Sequence, residues 1–194
     1  MNMKVKMHEL KKELLLKEAS FLFEEIGYID MKIANLAKVA GVSIGTIYSL
    51  FNSKEGLYLA YIEHQINNFF EELQARALVE TTPKEKIHTY IEVKFSYYHQ
   101  KRKAIEQSAT NNPLFFNTLY TQPSNPFQKV HHYLSECFME LNPKLSTEQA
   151  MRMAFAINGF SDGYVSQWLE LNDDLLDKVD EVSILFIGMV EGCK

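Results

Sequence analysis

The residues best placed to do chemistry stand in one short run, Ser43-Ile44-Gly45-Thr46-Ile47-Tyr48-Ser49, with Lys32 before it and Lys54 just after it. Hydroxyls, a phenol and two ammonium groups offer hydrogen bonds and positive charge, the means by which a protein holds phosphate and base-edge atoms. The run holds no histidine, cysteine or carboxylate. No nucleophile–base spacing, phosphate loop or ligand cluster appears along the chain, so the chemistry on offer is recognition rather than bond making.

Two short helices must position those side chains. Ile33, Leu36, Ala37, Val39 and Ala40 give a first apolar run with small residues, which let steeply crossing helices approach closely. Gly41-Val42-Ser43 punctuates it: Gly past a helix end takes the left-handed conformation, and Ser accepts hydrogen bonds from the N–H groups opening the next helix. Ile44 to Leu50 is too short to stand alone, so Ile47, Leu50 and Phe51 are expected to anchor it. Ser43, Ile44, Gly45, Thr46, Tyr48 and Ser49 then face outward. Two helices across a Gly-containing turn are the sequence form of a helix-turn-helix, whose second helix enters the DNA major groove. Ser53 is expected to cap a further helix. Lys54 in its first turn opposes the helix dipole, which makes sense beside a phosphate.

The chain has 194 residues and a net charge of −5, and the charge is uneven. Residues 1–60 carry eight basic against seven acidic side chains, and the remainder twelve against eighteen. A near-neutral head on an acidic body fits a protein that presents one end to DNA. Scarce Gly (8) and Pro (5) favour helices over a turn-rich sheet. Cys137 and Cys193 form no C-x-x-C pair, so neither a disulfide framework nor a zinc site is expected, and a reducing cytoplasm is the default. No stretch approaches a membrane span, and the lysines at the N-terminus precede no apolar signal region. Lys4, Lys6, Lys11 and Lys12 are either a phosphate-contacting arm or a solvated helix start.

Helices are expected over residues 8–26, stopped by Gly27, then from Lys32 or Ile33, over 44–50, from Leu57 to about Val79, and from Lys84 to about Lys101. In the last of these Ile87, Ile91, Phe95 and Tyr98 make the apolar face. His88 and Glu92 are one turn apart, but no third ligand is fixed by spacing, so a solvated face is preferred to a metal site. Adjacent His131 and His132 point too far apart to chelate together. Residues 101–145, broken by Pro113, Pro123, Pro126 and Pro143, are the least regular. They are rich in aromatics, including Phe115, Phe116, Tyr120, Phe127 and Tyr133, which could line an apolar pocket or form ordinary core. A helix from Ala150 to Leu171, capped by Ser146 or Thr147, is apolar nearly all round, so it is buried on every side, in part against a partner subunit. Asn158 and Asp162 lie on it, and a buried carboxylate needs a partner. The last helix runs from Leu175 to about Val190.

The pattern Leu36-Ala37-x-x-Ala40-Gly41-Val42-Ser43-x-Gly45-Thr46-Ile47-Tyr48-x-x-Phe51-x-Ser53-Lys54-Glu55-x-Leu57 resembles the DNA-binding signature of the tetracycline-repressor (TetR) family of bacterial regulators. Leu15-Leu16-x-x-Ala19-x-x-x-Phe23-x-x-x-Gly27-Tyr28 is similar to that family's first helix. The resemblance implies an all-α fold of about nine helices. Residues 1–54 would be a three-helix, helix-turn-helix DNA-binding domain, and residues 55–194 a helical effector-binding and dimerisation domain. It implies phosphate contacts from Tyr48 and Lys54, groove-facing Ile44, Gly45, Thr46 and Ser49, and a cap at Ser43. Lys32 stands where the family usually has a capping Ser or Thr, and could add a phosphate contact instead. No arginine lies in the motif, so bidentate Arg–guanine readout is absent, and base discrimination is expected to rest on apolar contacts, hydroxyls and DNA shape.

Carried over to the body, the resemblance implies an effector site drawn from Phe95, Tyr98, Phe115, Phe116, Tyr120, Phe127, Tyr133, Asn158 and Asp162. It implies a four-helix dimer interface from the last two helices, with Met151, Phe155, Trp168, Val182, Phe186 and Met189 as candidates. The expected partners are a double-stranded DNA operator, a second copy of the chain and an unknown small-molecule effector, with no membrane, metal or cofactor. The function expected is a homodimeric repressor released from a palindromic operator by that effector. An enzyme on a helical bundle and a helical lipid- or small-molecule-binding protein are the alternatives.

Overall fold

A computed structural model describes residues 3–79, 82–102, 106, 125–171 and 173–193. Phe115, Phe116 and Tyr120 lie outside the described residues, as do Pro113 and Pro123. Among the described residues there are eight α-helices: α1 (Met3–Asp30), α2 (Ile33–Val39), α3 (Ile44–Phe51), α4 (Lys54–Ala77), α5 (Pro83–Gln100), α6 (Gln128–Leu141), α7 (Thr147–Leu171) and α8 (Val179–Gly192). The all-α expectation holds, and no single described helix is long and apolar enough to cross a membrane.

Two compact units divide the chain. The first takes the described residues up to Ile66 together with Glu106, and the second takes Asn67–Arg102 with the described residues from Asn125 onward. Leu57, Tyr58 and Tyr61, from the start of α4, lie in the same core as Leu15, Leu16, Ala19, Phe23, Leu36, Ile47 and Phe51. The sequence division at residue 54 cuts through that core.

The first unit is built on local rules. α1 begins at Met3, earlier than residue 8, because nothing between Met3 and His8 breaks a helix. It loses helical geometry at Gly27 (φ 78°), a backbone angle that costs an L-residue but not glycine. Gly41 (φ 65°) turns the chain between α2 and α3 for the same reason. Asn52, at the end of α3, takes a positive φ of 66°.

The second unit packs Phe69, Leu73, Ile87, Tyr90, Ile91, Phe95, Leu134, Phe138, Ala154, Ile157, Trp168, Val182 and Phe186 into one core. A capping box starts α5: Glu85 N–H donates to Thr82 Oγ1 (3.2 Å), Thr82 N–H donates to Glu85 Oε2 (2.9 Å), and Pro83 opens the helix. Ser146 caps α7, receiving Gln149 N–H at 3.2 Å while its own N–H donates to Gln149 Oε1 at 2.9 Å. α6 is a regular helix inside the stretch read as the least regular. The final helix is interrupted at its start by a 3₁₀ turn, Leu176–Lys178, entered through Leu176 N–H donating to Asp174 Oδ1 at 2.9 Å. The Asn142 side-chain amide donates to Val190 O and Cys193 O, each at 2.9 Å, satisfying carbonyls at the end of α8. His88 and Glu92 are each paired, His88 with Asp180 at 2.9 Å and Glu92 with Arg76 at 3.4 Å.

Candidate nucleic-acid interface

The interface begins with a cap. Thr46 N–H donates to Ser43 Oγ at 3.1 Å, and the two hydroxyls, Ser43 Oγ and Thr46 Oγ1, meet at 2.9 Å. This occupies one of the unsatisfied donors that open α3. Ile47 and Phe51 turn into the core, at 0% and 4% exposure. Because α3 is only eight residues long, those two anchors and the cap fix its rotation. The opposite face is left to solvent. Ile44 and Tyr48 are each 45% exposed, Ser43, Gly45 and Ser49 are exposed, and Thr46 is half-buried beside its cap. α2 and α3 meet at 110°, within the range of a helix-turn-helix. An exposed isoleucine beside a tyrosine and two hydroxyls is a poor surface for water and a good one for thymine methyls and phosphates.

Lys32 stands at the N-cap of α2, exposed, and its side chain makes no capping bond. It is a basic residue at a helix start, whose N–H groups already favour an anion. Lys54, in contrast, is drawn into the head. Its Nζ donates to Ile29 O at 3.1 Å and sits 4.6 Å from the centre of the Tyr28 ring. Tyr28 in turn donates its hydroxyl to Glu55 Oε1 at 3.1 Å. Burial, and then the Glu55 carboxylate, push the Tyr28 phenol up to about 12. Backbone and Ser53 hydrogen bonds, joined by Tyr28, hold Glu55 below the usual carboxylate range. Tyr28, Lys54 and Glu55 therefore clasp the end of α1 to the start of α4. That clasp is invisible in the sequence, since its partners are 25 to 27 residues apart.

The residues proposed for the body fall into three groups. Phe95 is fully buried core. Tyr98, Phe127 and Tyr133 are half-buried, with Phe127 stacked near the His131 ring at 6.5 Å. Asn158 and Asp162 belong to a polar cluster that sequence reasoning did not find, centred on Lys94. Lys94, 4% exposed, donates to Asn158 O (3.1 Å), Asn158 Oδ1 (2.7 Å) and Ser161 Oγ (2.7 Å), and pairs with Asp162 Oδ1 at 2.7 Å. Tyr90 donates its hydroxyl to Asn158 Oδ1 at 2.9 Å, and burial drives its phenol upward. The signal was present: Lys94 stands one turn past Tyr90 and Ile91, on the apolar stripe of α5, where a charge needs a reason.

The dimer candidates also divide. Trp168, Val182 and Phe186 are at most 2% exposed and belong to the core of the second unit, while Met151 is half-buried. Phe155 and Met189 are exposed, at 54% and 45%, together with Phe160 (43%), Ile184 (70%) and Leu185 (43%). Periodicity alone could not tell which side of an apolar helix meets its own core.

Residues 15–61 match the family described as "Bacterial regulatory proteins, tetR family". The chain is similar to the HTH-type transcriptional regulator BetI of Pseudomonas aeruginosa, at 26% identity over 94% of this chain and 93% of that one. Its fold is similar to the fatty acid degradation regulator FadR from Bacillus halodurans (TM-score 0.67, 25% identity, 92% of this chain and 95% of that one). It also matches the transcriptional regulator FadR from Bacillus subtilis, solved in complex with stearoyl-CoA (TM-score 0.68, 22% identity, 90% of this chain and 97% of that one).

Proposed function

We propose, from the premise that this chain belongs to the tetR family of bacterial regulatory proteins, that it is a homodimeric repressor of transcription and not an enzyme. The observation that carries this reading is the outward face of α3, where Ile44, Tyr48 and Ser49 are exposed behind the Ser43 cap. Two such helices must stand about one DNA turn apart, or a multiple of it, to enter the major groove on one side of the duplex. A twofold dimer meets that demand on a palindromic operator. The exposed apolar side chains of α7 and α8 supply a surface for the second copy. The working compartment is the cytoplasm, where the chromosome lies.

The second unit is the effector-binding body. A small molecule that prefers a dimer geometry with the wrong helix spacing releases the operator, by no more than its difference in affinity for the two geometries. Lys32, Tyr48 and Lys54 supply phosphate contacts, and Ile44, Gly45, Thr46 and Ser49 face the bases. A mobility shift with DNA from upstream of the protein's own gene, repeated across salt, tests the reading. Salt-sensitive, sequence-specific binding that is lost in Tyr48→Ala is expected. Binding indifferent to sequence would overturn it.

A further inference from the structure

We infer that Lys94 is the receptor for a carboxylate carried by the effector, and that Asp162 is the internal carboxylate that holds its place until the ligand arrives. The inference rests on the reading that the second unit binds an effector.

A buried ammonium survives only with good partners. Lys94 takes all of its oxygen partners from α7: Asn158 O at 3.1 Å, and Asn158 Oδ1, Ser161 Oγ and Asp162 Oδ1 at 2.7 Å each. An ammonium has three hydrogens, so four oxygens compete for them. Two of the competing groups are tied down elsewhere. Asn158 Oδ1 also receives the Tyr90 hydroxyl at 2.9 Å, and Ser161 Oγ donates to Asn158 O at 2.9 Å. Asn158 and Ser161 are buried at 6% and 0% exposure. Asp162 is the loosely held member. Its side chain is 42% exposed against 5% for Lys94, and its contact with the Tyr98 hydroxyl is long, at 3.5 Å. Turning Asp162 into water costs its carboxylate little and strips Lys94 of its counter-charge.

What replaces it follows from charge. Tyr90 and Tyr98 face Lys94 from α5, with their ring centres 6.0 Å and 5.8 Å away. From α6, His131 feels both Lys94 and Asp162, and burial and Lys94 push it down to about 4, so it is neutral near pH 7. Among the described residues that face this cluster Lys94 is then the single positive charge, and one monoanion balances it. A carboxylate repeats what Asp162 already does, whereas a phosphate dianion would leave a surplus negative charge in a poorly solvated place. The Phe155 and Phe127 rings, 5.2 Å and 6.5 Å from the His131 ring, offer the rest of the ligand an apolar surface, partly open to solvent at Phe155. The effector class is therefore a monocarboxylate on an apolar body. Exchange also removes one of the bonds between α5 and α7, which gives the ligand a structural effect.

The chain has one tryptophan, Trp168, buried on α7, the helix that also carries Asn158, Ser161 and Asp162; its fluorescence is the readout of ligand binding, and the Lys94 and Asp162 variants tie that binding to the cluster. The full-length protein is titrated with two matched pairs, decanoate against decanol and 3-phenylpropanoate against 3-phenylpropanol. Within at least one pair the wild type is expected to prefer the carboxylate by about tenfold, the scale of a charge-assisted hydrogen bond. Asp162→Asn removes the internal competitor, so it should tighten the carboxylate by a further factor of about ten and leave the alcohol unchanged. Lys94→Met should erase the preference; if that variant does not fold, Asp162→Asn decides alone. A carboxylate-to-alcohol ratio that stays flat or falls in Asp162→Asn overturns the inference, as does failure of all four compounds to bind the wild type. Operator binding is measured on the same preparations. Its loss in the wild type overturns the repressor reading, whereas intact operator binding confines a failure to the ligand assignment.

Discussion

The Lys54 ammonium lies 4.6 Å from the centre of the Tyr28 ring, with one hydrogen given to Ile29 O. An ammonium has three hydrogens, so two are left for a phosphate, and the ring fixes where they point. Lys54 is thus both a clasp and a positioned cation. Lys54→Ala should weaken operator binding and reduce the slope of log affinity against log salt by about 1, the signature of one lost phosphate contact. Tyr28→Leu should weaken binding with the slope unchanged, because it loosens the cation without removing it. Equal slopes for wild type and Lys54→Ala would make Lys54 a clasp only.

Two glycines in the first unit should respond very differently to a methyl group. At Gly41 a new Cβ meets nothing within 4 Å, so Gly41→Ala suffers only the positive φ, about 1–2 kcal/mol. At Gly56 it would collide with the backbone carbonyl of Phe51, where α3 ends against the start of α4. Neither backbone can yield without moving Phe51, an anchor of α3. Gly56→Ala should therefore destabilise the protein more than Gly41→Ala in chemical denaturation and abolish operator binding. The reverse order would refute this packing.

His131 makes stability depend on pH. Its folded pKa is pushed down to about 4 by burial and then by Lys94, against about 6.5 when unfolded. Between those values the unfolded chain binds more protons than the folded one. Stability is therefore fully present above about pH 6.5 and falls as the pH drops toward 4. Replacing the ring with one that does not titrate, His131→Phe, should flatten thermal melting across that window relative to wild type. An unchanged pH profile would mean that other groups carry the acid sensitivity.

On α8, Ile184 (70% exposed), Leu185 (43%) and Met189 (45%) form an apolar surface with no role in the core of their own unit. Ile184→Asp should leave the fold intact by circular dichroism and shift sedimentation from dimer to monomer. Operator affinity should fall with it, since a single recognition helix lacks the second half-site. A dimer unaffected by Ile184→Asp would put the interface elsewhere.

The head was legible in the sequence because its logic is local. Ser43, Gly41 and the Ile47/Phe51 anchors act within a few residues of one another, and cap, turn and periodicity rules operate at that range. The body was less legible. α6 was hidden by flanking prolines that end helices without saying what lies between them. Trp168, Val182 and Phe186 could not be told from Met189 or Ile184, because a helix apolar on several sides does not announce which side meets its own core. Lys94 was missed because its partners on α7 are more than 60 residues away. A charged residue on an apolar stripe was the available clue.

Asn142 has its own consequence, in the chemistry of ageing. Both hydrogens of its side-chain amide hold the end of α8, through Val190 O and Cys193 O. Conversion to aspartate would replace that donor group with a charged acceptor facing two carbonyls. Asparagine usually deamidates when the backbone nitrogen of the next residue attacks its side chain. Here the next residue is Pro143, which has no N–H to lose. The amide that pins the last helix therefore sits where the usual chemical clock of asparagine cannot run.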